Sequence, residues 1–132
     1  MKPAIVNRQD IEMLITHFYE KVKKDPTIGF IFTNVVAIDW PMHIPLIVDF
    51  WETILLDNPV YKKNAMEVHY DLNKKIPLQP AHFEAWLHLF TTTVDEMFEG
   101  PAATLAKTRA KSIAAVMQFK MCGAPQSPTS IL

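Results

Sequence analysis

Apolar residues recur every three or four positions along several stretches of this chain, and prolines stand in most of the breaks between them. This spacing lines one face of a helix, whereas a half-buried strand alternates with a period of two. The sequence shows no such alternation with hairpin turns. It therefore predicts an all-α fold, with a single domain over residues 1–123 and a flexible C-terminal tail over 124–132.

The sequence also predicts where the helices begin and end. The first covers residues 8–24, with a cap at Asn7 and a stop at Asp25-Pro26, because a residue before proline is pushed out of the helical region. The other predicted helices are 39–56, a short one at 64–72, one from 80 to a break at Gly100-Pro101, and one from there to about 121.

Composition excludes several classes of function. The 3 glycines are far apart, whereas nucleotide-binding loops need two or three within a few residues. The net charge of −1 predicts no basic surface for nucleic acid. The single cysteine, Cys122, cannot form an internal disulfide and is interpreted as an inert thiol. Because no apolar stretch suits a leader or a membrane span, we expect a cytoplasmic protein that does not bind membranes. We also expect a monomer that does not bind nucleic acid.

Histidines are the first candidates for chemistry. His17, His82 and His88 fall on predicted polar faces, which favours a surface position for each. His43 and His69 instead lie among apolar residues. Either one, taken alone, is more often a structural histidine than a ligand, and neither belongs to a zinc-binding pattern.

Aromatic side chains are the second candidates, and a bulky core accounts for most of them. Tyr19 and Trp86 differ, because a phenol O–H and an indole N–H need partners when they are buried. Two buried donors invite a ligand. The rings predicted to face inward are Phe18, Tyr19, Phe30, Phe32, Phe50, Trp51, Phe83, Trp86 and Phe90.

The order of several short segments resembles a known family. Together these segments are similar to the truncated haemoglobins of group III, over about residues 11–121. The segments are Phe18-Tyr19, Ile28-Gly29-Phe30-Ile31-Phe32, Asp39-Trp40-Pro41-Met42-His43, Phe50-Trp51, Tyr61 through Met66 to His69, and Phe83-Glu84-Ala85-Trp86-Leu87.

The resemblance implies a shortened globin whose helices pack two over two around haem b. His69 matches the proximal iron ligand, which binds through an imidazole nitrogen, and Phe32 matches an aromatic wedge against the haem face. The remaining matches are Tyr19, His43, Ile47, Trp51 and Trp86 in the distal pocket, and Met66, Leu72 and Phe83 at the haem edges.

The resemblance also implies a function. Hydrogen-bond donors aimed at dioxygen slow its release, so Tyr19 and Trp86 would hold it too tightly for delivery. His43 would gate the entry side or add a third contact. We expect a five-coordinate or distally ligated haem that binds dioxygen and other diatomic ligands, supports redox, nitric oxide dioxygenase or peroxidase-like chemistry, and works with an unidentified reductase. The alternatives are a haem-free helical interaction module and a haem-based sensor.

Overall fold

The computed structural model describes residues 2–31, 40–59 and 78–122 of the 132-residue chain. Within these ranges there are helices and no strands, which confirms the all-α prediction. None of these helices is long and apolar enough to cross a membrane. The predicted short helix at 64–72 and the tail at 124–132 lie outside the described residues. The helices are α1 (Arg8–Lys24), α2 (Trp40–Leu55), α3 (Pro80–Met97) and α4 (Pro101–Cys122).

α1 begins at the cap that the sequence predicts, Asn7. The Asn7 side chain accepts a hydrogen bond from the backbone N–H of Asp10 at 2.9 Å. The Asp10 carboxylate in turn accepts from the backbone N–H of Asn7 at 3.3 Å and of Val6 at 2.8 Å. This reciprocal pair satisfies donors that a helix start leaves unpaired, and an N-cap side chain of this type contributes about 1 kcal/mol.

The end of α1 is equally well determined. Asp25 adopts an extended backbone, with φ of −73° and ψ of 133°, directly before Pro26. Its carboxylate accepts from the N–H groups of Thr27 and Ile28 at 2.9 and 3.0 Å. The chain then folds back so closely that a Cβ at Gly29 would lie 2.8 Å from the carbonyl oxygen of Lys23. Only glycine suits this close approach.

The helices pack as two pairs. α1 lies against α2, α3 lies against α4, and α1 also packs on α3, which joins the two layers in a two-over-two arrangement. Phe18 of α1 and Phe90 of α3 are fully buried at the centre. α4 contributes the small buried side chains Ala103, Ala106 and Ala110, and such residues allow helices to approach closely.

One prediction about side-chain direction needs correction. Phe30 was expected to face inward, but it is 37% exposed, and its ring contacts His82 edge-on at a centroid distance of 6.1 Å. Ile28 and Ile31 occupy the buried positions of this turn instead. His82 is half-buried, and its Nδ1 accepts the backbone N–H of Gln79 at 3.0 Å before α3. His17 and His88 are exposed, as predicted.

Candidate functional site

Tyr19 lies on the buried face of α1. Its ring contacts Phe18, the preceding residue, at a centroid distance of 4.9 Å and an interplanar angle of 62°. Burial raises the pKa of the Tyr19 phenol well above its ordinary value, because a low-dielectric environment disfavours the charged form. The phenol therefore keeps its proton at any physiological pH and can act as an O–H donor.

Trp86 reaches the same region from α3. Its ring meets Phe18 at 5.9 Å and an angle of 87°, and it stacks almost parallel to Phe90 at 5.6 Å and 8°. Trp86 is half-buried. Phe18 thus contacts the rings of Tyr19 and Trp86 at once, and the fold brings the two predicted donor residues together around one phenylalanine.

α2 supplies a third side of this cluster. Trp51 is 2% exposed and stacks on Phe90 at 4.7 Å and 18°, while Phe50 meets it edge-on at 5.5 Å and 89°. Ile47 is half-buried and lies one turn before Trp51, on the same face of α2. Aromatic contacts therefore connect three helices through Phe90 and Phe18.

Some of the other predicted site residues lie in the described part of the chain, and some lie outside it. Phe83 is buried near the start of α3, about one turn before Trp86. His43 lies in α2 one turn before Ile47, but the structure describes only its backbone. Phe32, Met66, His69 and Leu72 also lie outside the described residues, so the proximal ligand stays a prediction.

A polar cluster at the far end of α2 was not predicted. Arg8 Nη1 donates to Asp49 Oδ1 at 2.7 Å and to Glu52 Oε1 at 2.6 Å. The Asn58 side-chain amide donates to Glu52 Oε2 at 2.6 Å. The hydrogen bond from Arg8, followed by that from Asn58, lowers the pKa of Glu52. These four residues, the Arg8 cluster, connect the first turn of α1 to the last turns of α2.

The sequence analysis missed the contacts of Phe90 and the Arg8 cluster, and the sequence contains a local signal only for the first. Phe90 was expected only as a core ring, although its position four residues after Trp86 places the two on one helix face. The Arg8 cluster had no local signal, because its ion pairs join residues 41 and 44 positions apart. No group of His, Cys, Asp and Glu within the described ranges could hold a metal ion by itself.

Comparison with known proteins decides the family, although no family model matches the chain. The chain is 32% identical over 121 residues to the group 3 truncated hemoglobin of Campylobacter jejuni, an alignment that covers 89% of this chain and 93% of the relative. The chain belongs to the group III truncated haemoglobins. The crystal structure of the group III truncated hemoglobin from Campylobacter jejuni matches it with a TM-score of 0.79 and 31% identity, over 92% of this chain and 95% of that one.

The predicted pocket residues in the described part of this truncated haemoglobin have side chains of the kinds that a haem site needs. A haem is flat and largely apolar, and sites for such cofactors are lined by aliphatic and aromatic side chains with a few polar groups. Ile47, Phe83 and the Trp86 ring are aliphatic or aromatic, and the Tyr19 hydroxyl and the Trp86 N–H are polar groups. The chemistry of these side chains therefore fits a haem site.

Proposed function

We propose that this truncated haemoglobin binds haem b through His69 and retains dioxygen or another diatomic ligand for chemistry rather than for delivery. The observation that carries the proposal is the convergence of Tyr19 and Trp86 on Phe18 from two different helices. Membership of the globin family supports the haem, which supplies an open coordination position for a diatomic ligand when one histidine holds its iron.

Tyr19 serves as the first donor to the ligand. Since burial raises the pKa of its phenol, the side chain keeps the proton that it would donate. Phe18 packs against its ring and limits the positions that the hydroxyl can take. A donor that is already ordered loses little conformational entropy when it makes its hydrogen bond.

Trp86 serves as the second donor. Its indole nitrogen can only donate, so it favours a ligand atom that carries negative charge. The ring of Phe18 is almost perpendicular to the Trp86 ring, and the ring of Phe90 is almost parallel to it. The third proposed distal residue is His43, one turn before Ile47 on α2, as a gate on the entry side or as a further contact to the ligand.

The remaining proposed residues hold the cofactor itself. His69 is the proposed iron ligand, and a second-shell acceptor for its other ring N–H would fix its orientation. Phe32 would lie against the haem face. Ile47, Trp51, Met66, Leu72 and Phe83 would line the pocket and the haem edges.

Strong retention favours reaction over transport. A hydrogen bond to a charged or partly charged ligand contributes on the order of 1.5–3 kcal/mol, which slows ligand release roughly ten- to a hundredfold. Such retention suits reaction of dioxygen with nitric oxide, or activation of a peroxide. Repeated turnover of either kind requires an electron donor, so we include a reductase among the proposed partners.

The absorption spectrum of the purified protein tests the cofactor assignment. We expect an intense Soret band that shifts on reduction and again on addition of carbon monoxide. His69→Ala should weaken or shift this band, and His17→Ala, which changes an exposed histidine on α1, should leave it unchanged. A colourless protein that cannot take up haemin would contradict the proposal.

A further inference from the structure

Phe90 occupies a central position among the aromatic rings. It is fully buried, and it lies nearly parallel to two indoles, that of Trp51 at 4.7 Å and that of Trp86 at 5.6 Å. Phe18 meets it at 5.3 Å and an angle of 86°. We call Trp51, Phe90 and Trp86 the three-ring stack. This stack connects α2 to α3.

From this geometry we infer that Phe90 is a positioning residue, which orients the Trp86 indole and thereby the N–H that Trp86 offers to the ligand. The inference rests on the proposed function, because it assigns Phe90 a role through a proposed donor. Phe90 itself touches neither ligand nor cofactor in this account. It acts only by fixing the plane of the neighbouring ring.

Two ring contacts hold the Trp86 indole in place. Contact with Phe90 restricts the tilt of the ring, and the edge contact with Phe18 restricts its rotation. Aromatic pairs in these geometries each contribute about 0.5–1.5 kcal/mol beyond burial of area, which is enough to favour one rotamer strongly.

The three-ring stack also makes the Trp86 donor sensitive to α2. Trp51 is almost completely buried against Phe90, and α2 also carries His43 and Ile47. A shift of α2 that moved Trp51 would therefore reach Trp86 through Phe90. In this way the orientation of a donor on α3 depends on the helix that forms the opposite wall of the pocket.

Phe90→Leu tests the inference, with Phe98→Leu as its matched control. Both variants replace a buried phenylalanine by the smaller leucine, so both remove apolar volume from the core and both cost some stability. Phe98 has no ring contact with the tryptophans of the described residues. We expect Phe90→Leu to release dioxygen about tenfold faster, and Phe98→Leu to change the release rate less than about twofold.

The double variant Phe90→Leu/Trp86→Phe separates positioning from general loosening. If Phe90 acts through Trp86, the double variant releases dioxygen no faster than Trp86→Phe alone, since coupled residues are not additive. Multiplied effects in the double variant, or an unchanged rate in Phe90→Leu, would overturn the inference. If Phe90→Leu does not fold, Phe90→Met takes its place, because methionine fills core gaps readily.

A second measurement keeps this inference distinct from the proposed function. The near-ultraviolet circular dichroism of tryptophan reports the environment of the indoles in the haem-loaded protein. The contribution of Trp86 is the difference between each protein and its Trp86→Phe counterpart. We expect Phe90→Leu to alter that contribution and Phe98→Leu to leave it unchanged. If Trp86→Phe does not speed release, the donor assignment fails, and the dichroism then decides alone: an altered Trp86 contribution supports the positioning role, and an unchanged one overturns it.

Discussion

Two clusters connect α1 with other helices, and they differ in chemistry and in consequence. The aromatic cluster of Phe18, Tyr19, Trp51, Trp86 and Phe90 lies at the centre and connects three helices through ring contacts. The Arg8 cluster connects the first turn of α1 to the last turns of α2 through charged hydrogen bonds. The aromatic cluster contains the proposed ligand donors. Changes in it should alter ligand release, whereas changes in the Arg8 cluster should alter stability.

Removing Arg8 should have the largest effect on stability. Glu52 has a side chain that is only 10% exposed, and Arg8→Met leaves this carboxylate with the Asn58 amide as its remaining partner from the cluster. A buried charged group that loses a partner costs about 1–3 kcal/mol. Chemical denaturation should show this loss of unfolding free energy, while the dioxygen release rate should remain within about twofold of wild type. A large change in release would contradict the division between the clusters.

Acidic pH should weaken the same cluster. The hydrogen bonds from Arg8 and Asn58 lower the folded-state pKa of Glu52, so its contribution is present above the unfolded value of about 4.3 and is lost as pH falls through the folded value. We expect Glu52→Gln to flatten the decline of unfolding free energy below about pH 4.3. The flattening should be smaller in an Arg8→Met background, because the larger cause of the shift is already gone. Equal flattening in both backgrounds would show that the hydrogen bond from Arg8 is not what lowers the pKa of Glu52.

Alkaline pH should act on the aromatic cluster instead. The Tyr19 pKa is raised by burial, so the phenol is protonated in both states below about pH 10 and contributes no pH dependence there. Above that pH the unfolded chain releases this proton while the folded chain retains it, so stability falls as pH rises. Tyr19→Phe should remove this component from denaturation curves. A wild-type slope in Tyr19→Phe would mean that other groups cause the decline.

An exposed ion pair should show the smallest effect. Lys21 on α1 pairs with Glu96 on α3 at the surface, where the Glu96 side chain is 56% exposed. Exposed pairs contribute about 0–1 kcal/mol, so Lys21→Met should reduce unfolding free energy by less than Arg8→Met does. This variant is the matched control for Arg8→Met, since both remove a cation from α1. Equal losses would show that burial of Glu52 is not the reason for the larger effect.

The same contrast explains how much the sequence could predict. The ends of α1, the limits of α2 to α4 and the family follow from local signals: the Asn7 cap, the Asp25-Pro26 stop, helical apolar spacing and an ordered set of motifs. Phe30 was placed wrongly because several consecutive apolar residues cannot all face one core, and the sequence does not say which one turns outward. The Arg8 cluster and the pairing of Phe90 with Trp51 depend on how distant segments pack. Local periodicity contains no information about that.

The rate of dioxygen release from the ferrous protein tests the central claim most directly. It should be measured for wild type, Tyr19→Phe, Trp86→Phe and Phe98→Leu, with the last as the control for a change in the core alone. Loss of either donor should speed release roughly ten- to a hundredfold, and the control should change it by less than about twofold. If both Tyr19→Phe and Trp86→Phe release dioxygen no faster than wild type, the two side chains do not hold the ligand and the account is wrong.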